Sequence, residues 1–525
     1  MNLPEKEKCT QGFAAGTETD MSNIESLNKL RLRKNIIAAA GGDNAVKTQH
    51  DAGKLTARER VARLLDEGSF IETGAFVQAR AEGTDAAADG VVCGHGTVDS
   101  MLTYVYAQDH TVMGGAISEM NAKKICAVID MAVKMGTPVV GLLDSDGARL
   151  GEGVDALAGL GAILHKTVSA SGVIPQIAAV MGPCAGTAAQ AAALADFVIM
   201  TEKNAKLFTA GPQVVAAVTG EAADDIATAK THSEESGVVN LTAADDYECI
   251  ELIKILLSYL PENNLSDAPE FECADDLNRI SERLMSIKGQ GYDIRGVIAE
   301  TVDDGAFFEI SAAYAKGMVT GFARYNGRTA AVVANQPAVN DGAIDIEGAS
   351  KAARFIRFCD CFNIPIVSFT DTPGYIVSAS EERSGIIRHA AKLIHAFSES
   401  TVPKVNIIVG RAYGGAYAAM NSKHIGCDVS LAWSDAEITA VSPEAAAALM
   451  LKDEIAAAAE PIKERAVKAD EYREEYASPY VAAQRGYIDD VIEADATRPR
   501  IIAALEMLRS KRESGMPKKH GNIPL

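Results

Sequence analysis

Hydrophobic residues recur at helical spacing in the first part of the chain. Between residues 26 and 40 apolar positions alternate with lysine and arginine, which predicts an amphipathic helix. A second helix is predicted to start at Thr56, because Thr56 and Glu59 have the spacing of a capping box, and to end near Gly68. Residues 1–25 contain few large apolar side chains, so we expect a disordered extension there.

Beyond Asp89 the pattern changes to short β-branched runs that alternate with longer helical stretches and glycine-rich turns. Buried strands are predicted at 91–92, 102–106, 139–143 and 177–180, with helices at 115–135 and 154–170. Such alternation is typical of an α/β protein with crossover units.

An internal repeat gives the domain organisation. The segment 138–147 matches 365–374 at an offset of 227 positions (365 minus 138), and Gly186 matches Gly415 at an offset of 229 (415 minus 186). Nearly constant offsets over about 100 residues indicate two copies of one fold. The polar stretch 261–288 holds the boundary, so we predict one domain at residues 26–265 and a second at 266–525.

Composition and charge exclude several classes of protein. The chain has 525 residues, and its 50 Lys and Arg against 71 Asp and Glu give a net charge of −21, which repels nucleic acids and anionic membranes. It has no apolar run of about 18 residues and no signal peptide pattern, so we predict a cytoplasmic protein. Nine scattered cysteines indicate reduced thiols, and their spacing predicts no metal site.

Two glycine-bearing strand ends in each repeat are candidates for chemistry: Asp144 and Gly186 in the first, Asp371 and Gly415 in the second. A loop of this kind enters a helix whose first N–H groups lack intrahelical partners, and such donors can bind an oxyanion. Alternatively, the glycines only permit tight turns. Because the arrangement occurs twice, we favour oxyanion stabilisation.

Conventional catalytic motifs are absent: there is no G-x-S-x-G elbow, Walker A loop or H-E-x-x-H sequence. Four histidines are candidate general bases, with structural roles as the alternative: His95, His110, His389 and His395. Five cations near glycine-rich loops are candidates for binding the phosphates of a nucleotide-like group, or else belong to solvated helix faces: Lys123, Lys124, Arg149, Lys351 and Arg354.

Several segments, taken together, resemble the carboxyltransferase subunits of biotin-dependent acyl-CoA carboxylases and decarboxylases. Among them, propionyl-CoA carboxylase β chains and methylmalonyl-CoA decarboxylase α chains are the most similar. The segments that carry the resemblance are 53–60, 108–115, 170–176, 181–186, 387–389, 412–417 and 518–525. Their number and order make the resemblance specific from about residue 26 to the C-terminus.

The resemblance implies two tandem crotonase-like domains, with the acyl-CoA held by the first and biotin by the second. It implies a hexamer in which active sites form between subunits. Biotin is then carried on a partner, a biotin carboxyl carrier protein, and the further partner is a biotin carboxylase or a membrane decarboxylase subunit. Coenzyme A belongs to the substrate.

The resemblance also assigns residues by position. Backbone N–H groups at Gly186 and Thr187 are expected to stabilise the thioester enolate, and those at Gly415 and Ala416 the ureido oxygen of biotin. The expected substrate-binding residues are Gly147, Ala148, Arg149 and Ala185. The expected biotin-binding residues are Thr372, Pro373, Gly374, Tyr413 and Gly414.

Three departures from the family pattern bear on the substrate. Asp146 stands where the family usually has glycine, Thr187 where it has a second glycine, and residues 375–385 differ from the usual loop. These departures bear on the identity of the acyl group more than on the reaction class. Two alternatives stay open, a biotin-independent crotonase-type hydrolase or isomerase and a non-catalytic assembly partner.

Overall fold

Two β-sheets, one in each half of the chain, form the framework of the protein, in a computed structural model that describes residues 14–80, 86–287, 289 and 291–524. The first sheet contains β1 (Ile71–Thr73), β2 (Val91–Val98), β3 (Met101–Gln108), β4 (Val139–Ser145), β5 (Gln176–Ala185), β6 (Phe197–Thr201), β7 (Lys206–Phe208) and β8 (Leu241–Ala243). The second contains β9 (Phe307–Ile310), β10 (Met318–Tyr325), β11 (Arg328–Asn335), β12 (Ile366–Thr372), β13 (Lys404–Tyr413), β14 (Val429–Trp433), β15 (Glu437–Thr439) and β16 (Asp490–Ile492).

The two sheets have the same topology. The first runs in the order β1-β2-β3-β4-β5-β6-β8, with β7 paired to β5, and the second in the order β9-β10-β11-β12-β13-β14-β16, with β15 paired to β13. In each, the first three strands are antiparallel and the rest parallel. Each strand of the first half therefore has a counterpart eight strands later, and the predicted α/β class and duplication are confirmed.

Helices cover the sheets. In the first half they are α1 (Ala14–Ala38), α2 (Asp43–Asp51), α3 (Ala57–Leu64), α4 (Glu119–Met135), α5 (Val154–Ala170), α6 (Thr187–Leu194), α7 (Pro212–Thr219), α8 (Ala229–Glu234) and α9 (Asp246–Leu257). In the second they are α10 (Ile294–Thr301), α11 (Ile346–Cys361), α12 (Ala379–Ser384), α13 (Ile386–Glu399), α14 (Gly414–Ala419), α15 (Pro443–Met450), α16 (Lys452–Ala457), α17 (Pro461–Tyr472), α18 (Pro479–Gln484) and α19 (Thr497–Leu508). Among the residues described, none of these helices has the length and apolar character needed to cross a membrane.

The start of the chain differs from expectation. The Thr56 hydroxyl accepts the Glu59 N–H at 3.3 Å, and the Glu59 carboxylate accepts the Thr56 N–H at 2.8 Å, so the predicted capping box is confirmed. Helix α1, however, begins at Ala14, inside the predicted extension. Alanine and glutamate in this stretch favour helix even where little apolar surface is available for burial. Residues 1–13 of that extension lie outside the described residues.

A shared hydrophobic core joins the two halves. The ring of Phe197 from the first half lies 4.7 Å from that of Phe358 and 6.0 Å from that of Phe322, both from the second. In the segment that links the two halves, the Asn264 N–H donates to a carbonyl of the first half. The Phe271 N–H donates to the Gly327 carbonyl of the second half at 2.9 Å. These contacts are compatible with a boundary at 265/266, which stays a prediction.

A carboxyl group at this interface gives a pH prediction. Burial raises the pKa of Asp196 to about 7, although its carboxylate accepts the Gln176 N–H at 2.8 Å and Arg354 opposes the shift. Because the folded protein holds this proton more tightly than the unfolded chain, the stabilisation is present below pH 4 and is lost as pH rises to 7. We expect Asp196→Asn, which keeps the acceptor, to raise the denaturation midpoint at pH 8 and not at pH 4, as measured by thermal melts.

Candidate active site

The first-half loop consists of the end of β5 and the start of α6. Gly186 turns the chain with φ of +64°, a conformation in which glycine has no steric cost. Helix α6 begins at Thr187 without a side-chain cap, so its first N–H groups have no intrahelical acceptor. A side chain at Gly186 would meet no atom within 4 Å, and the loop is therefore open.

One of the two expected donors in this loop is already in use. The Gly186 N–H donates to the Phe208 carbonyl at 2.8 Å, at the end of the β5–β7 pairing. In this structure the Gly186 N–H is therefore occupied within the sheet, and its role as an oxyanion donor stays a prediction. Thr187 stays a candidate, and Ala188, the next residue of the uncapped helix, joins it.

Strand pairing also corrects the alignment of the repeats. Cys184 is the partner of Ser145 across β4 and β5, and Ala412 is the partner of Thr372 across β12 and β13. The offset at these loops is therefore 228 (412 minus 184), and Gly186 corresponds to Gly414, not to Gly415. The sequence comparison matched Gly186 to Gly415 because Gly414 and Gly415 are identical residues, and residue type alone does not distinguish them.

The second-half loop has the same construction. Gly414 has φ of +58°, close to that of Gly186, and helix α14 also begins without a side-chain cap. Gly415 and Ala416 then occupy the positions of Thr187 and Ala188. A side chain at Gly415 would meet only Tyr375, at 3.7 Å. The fold thus presents two equivalent sets of backbone donors.

Three of the four expected substrate-binding residues lie together. Gly147 has φ of +99°, and a side chain there would come 3.2 Å from the Ala185 carbonyl oxygen. Ala148 follows and forms an isolated parallel bridge with Ile117. Gly147, Ala148 and Ala185 therefore line the same edge of the sheet, beside Thr187.

Arg149 does not join them. It is only 6% exposed. Its Nη1 donates to Asp89 at 2.6 Å and to Glu152 at 3.2 Å, while Nη2 donates to the Ala116 carbonyl at 3.2 Å. Both terminal nitrogens of the guanidinium are thus engaged within the fold, and the assignment of Arg149 to substrate binding stays a prediction.

The other candidate cations are also engaged. Lys124 and Lys351 are repeat equivalents at an offset of 227, and both are buried. Lys124 donates to two carbonyl oxygens just before and at the start of β2, and Lys351 to two in the loop before β10. Lys123 pairs with Glu119, and Arg354 donates to the Ala195 carbonyl at 2.8 Å. These contacts support structural roles.

The biotin-side loop is held by a tyrosine that sequence reasoning missed. The Gly374 N–H donates to the Thr372 hydroxyl at 3.3 Å, and Pro373 lies between them. The next residue, Tyr375, donates its hydroxyl to the Gly415 carbonyl at 3.4 Å, and burial raises the pKa of Tyr375 to about 12. Tyr375 therefore connects the 372–374 loop to α14.

Tyr413 enters a polar network and turns its hydroxyl away from solvent. It donates to Glu437, which also accepts from Arg473 Nε at 3.0 Å. Burial and the Glu437 carboxylate raise the pKa of Tyr413. The Tyr413 side chain thus holds the start of α14 in place. The backbone of Tyr413 and Gly414 forms part of the loop.

The aspartates at the strand ends are structural anchors. Asp144 is fully buried and accepts from Lys54 at 2.8 Å, Arg60 at 2.9 Å and Gln49 at 3.0 Å. Its counterpart Asp371 accepts from Arg411 Nε and from the Tyr292 hydroxyl, at 2.9 and 3.1 Å. Carboxylates neutralised in this way are poor general bases, so their role is to fix the strand ends.

Among the candidate bases, one histidine lies at a site loop. His110 Nε2 is 3.3 Å from Asp146 Oδ1, next to Gly147. His95 packs against Tyr104, His389 bonds to Ser350 at 2.7 Å and His395 lies beside Glu399. In the part of the chain that the structure describes, no three His, Cys, Asp or Glu side chains are grouped to hold a metal ion.

Two crotonase-like halves with paired backbone-donor loops define a class of acyl-CoA enzymes, and comparison with known proteins names the family. The chain belongs to the carboxyl transferase family, whose domain model matches residues 48–523. The predicted enzyme class is confirmed by this match and by the relatives that follow.

Relatives cover nearly the whole chain. The propionyl-CoA carboxylase carboxyltransferase subunit of Haloferax mediterranei is 46% identical over 516 residues, covering 96% of this chain and 100% of the relative. Methylmalonyl-CoA decarboxylase subunit alpha of Propionigenium modestum is 46% identical over 512 residues, covering 95% and 99%. The crystal structure of transcarboxylase 12S, a hexamer assembly with methylmalonyl-coenzyme A and methylmalonic acid bound, matches with a TM-score of 0.93 at 44% identity, covering 95% of this chain and 98% of that one.

Proposed function

We propose that this chain is the carboxyltransferase subunit that moves a carboxyl group between biotin on a partner protein and the α-carbon of a short acyl-CoA of the propionyl-CoA and methylmalonyl-CoA type. The observation that carries the proposal is the pair of equivalent, uncapped helix N-termini at the ends of β5 and β13. Transfer between two carbonyl-bearing reactants needs one oxyanion site for each.

The first-half loop stabilises the acyl group. When the α-carbon loses or gains a carboxyl group, negative charge develops on the thioester oxygen as an enolate. The N–H groups of Thr187 and Ala188 point along the positive end of α6 and donate to this oxygen. Gly147, Ala148 and Ala185 leave the approach open because none has a bulky side chain.

The second-half loop suits biotin. The open space above Gly415, the uncapped N–H groups of Gly415 and Ala416, and the ring of Tyr375 fit a neutral ring that presents a carbonyl oxygen. When bound, biotin supplies the nitrogen that carries the carboxyl group. Gly415 and Ala416 donate to its ureido oxygen, while Thr372, Pro373 and Gly374 shape the adjoining loop.

Assembly and partners follow from the same proposal. Apolar side chains are exposed beside both loops, with Leu150 89%, Val377 99% and Ile387 76% exposed. Covering them with a second copy of the chain would remove this surface from water, which supports self-association, and the assembly we propose is a homohexamer. The remaining partners are a biotin carboxyl carrier protein and either a biotin carboxylase or a membrane decarboxylase subunit. The proposed location of the chain is the cytoplasm.

Carboxyl transfer to free biotin tests the function. The purified chain is incubated with biotin and with malonyl-CoA, methylmalonyl-CoA or glutaconyl-CoA, and release of the decarboxylated CoA ester is measured. Biotin-dependent release from any of the three supports the proposal and ranks the acyl groups. A folded, assembled protein that releases none of them, or releases them equally without biotin, would contradict it.

A further inference from the structure

The two halves differ at the edge of the substrate loop. In the first half His110 and Asp146 are in contact, with 3.3 Å between Nε2 and Oδ1. In the second half the equivalent positions, at an offset of 227, hold Pro337 and Pro373. The offset is fixed by strand pairing, because Ala107 pairs with Leu142 as Ala334 pairs with Phe369.

The fold does not need this pair of side chains. Both halves close the loop in the same way, with an isolated parallel bridge between Ile117 and Ala148 in the first and between Ile344 and Tyr375 in the second. Proline offers no side-chain hydrogen bond and lacks the N–H that Asp146 donates to the Gly114 carbonyl at 3.0 Å, yet the second half forms the equivalent bridge. A histidine and a carboxylate at these positions therefore serve something other than folding.

A third position supports this interpretation. A side chain at Gly114 would come 2.3 Å from Asp146 Oδ2. Its repeat equivalent, Asp341, carries a side chain at nearly the same backbone conformation, with φ of +56° against +64° for Gly114. The backbone alone does not demand glycine at position 114. Gly114 leaves the space that the Asp146 carboxylate occupies.

The side chains of the His110–Asp146 pair can each form a further hydrogen bond. The side chains of His110 and Asp146 are 32% and 60% exposed. Within the described residues, His110 Nδ1 and Asp146 Oδ2 have no hydrogen-bond partner. They lie next to Gly147, where an added Cβ would come 3.2 Å from the carbonyl oxygen of Ala185, two residues before the Thr187 donor. An imidazole nitrogen and a carboxylate oxygen are thus available beside the loop proposed to hold the acyl group.

We infer that His110 and Asp146 recognise a hydroxyl group on the acyl moiety, so that the substrates are short hydroxyacyl-CoA thioesters. The inference rests on the proposed function. A hydroxyl donates its hydrogen to Asp146 Oδ2, while the Nε2–H of His110 donates to Oδ1 and holds the carboxylate in place. A purely apolar acyl group would remove water from the pair without replacing its hydrogen bonds, and an acyl carboxylate placed there would be repelled by Asp146.

Binding measurements test this inference without depending on turnover. The assembled wild-type protein is titrated calorimetrically with propionyl-CoA, 2-hydroxypropionyl-CoA and 3-hydroxypropionyl-CoA, which share the same CoA and chain length. The titrations are repeated with Asp146→Gly and His110→Phe. Asp130→Asn, at an exposed carboxylate on α4, is the control, and thermal melts confirm that every variant is folded.

The expected result is that one of the hydroxypropionyl thioesters binds wild type about tenfold or more tightly than propionyl-CoA, a difference of about 1.4 kcal/mol. The ratio should fall to about 1 in Asp146→Gly and His110→Phe and persist in Asp130→Asn. Equal binding of all three thioesters by wild type, or a preference that survives both variants, would overturn the inference alone. Failure to bind any of the thioesters would overturn it together with the proposed function.

Discussion

Replacing Asp144 by alanine should lower the free energy of unfolding by about 3–5 kcal/mol, the cost of breaking a buried ion pair. The carboxylate is the acceptor for Lys54 Nζ at 2.8 Å and for Arg60 Nη1 at 2.9 Å, and both cations are at most 8% exposed. Arg60 keeps a second carboxylate, Asp246, at 2.8 Å, whereas Asp144 is the carboxylate that pairs with Lys54 among the described residues. The variant therefore leaves an ammonium group buried without its counter-ion.

Urea denaturation followed by circular dichroism measures the effect. Asp144→Asn separates charge from shape, because it keeps an acceptor oxygen and removes the negative charge, and it should fall between wild type and Asp144→Ala. Asp130→Ala is the matched control: its pair with Lys166 is 2.7 Å long but 42% and 36% exposed, so the loss should stay within about 1 kcal/mol. An Asp144→Ala protein as stable as Asp130→Ala would show that the cluster does not hold the end of β4.

The duplicated fold could be predicted from sequence because its evidence is local. The segment 138–147 and its repeat 365–374 are matched by residue type, and each contains a β-branched strand that ends in a turn. The same holds for the capping box at Thr56, where both partners lie three residues apart. Patterns of this kind need no knowledge of tertiary structure.

The donor set could not be fixed in the same way. Whether an N–H is free depends on what pairs with it, and the acceptor for Gly186 is Phe208, 22 residues further along (208 minus 186). Only the pairing of β5 with β7 reveals that contact. The contact of Arg149 with Asp89 could not be foreseen for the same reason, since Asp89 lies 60 residues away and nothing in the local sequence marks it as a partner. Contacts across the sheet decide which groups remain available to a ligand.

Gly415→Pro should lower kcat for carboxyl transfer by a factor of about 10²–10³, the typical loss when one oxyanion-hole donor is removed. The substitution deletes the N–H and leaves the carbonyl that Tyr375 contacts. Gly415 is the second residue of α14, and proline is tolerated in the first turn of a helix because the missing donor has no intrahelical partner there. CoA thioester affinity should stay close to that of wild type, because the substrate loop lies in the other half.

Gly415→Ala is the control that isolates the donor. It keeps the N–H, and its added methyl group would contact only the Tyr375 ring, at an ordinary 3.7 Å, so it should lose far less activity than the proline variant. Turnover with methylmalonyl-CoA and free biotin gives kcat, and calorimetric titration with the thioester gives affinity. If alanine and proline at position 415 were equally damaging, space and not the N–H would be the requirement. If Gly415→Pro turned over at the wild-type rate, the second-half loop would not be the biotin-side oxyanion site. Thr187→Pro, at the first position of α6, makes the same distinction for the acyl side, with Thr187→Ala as its donor-retaining control.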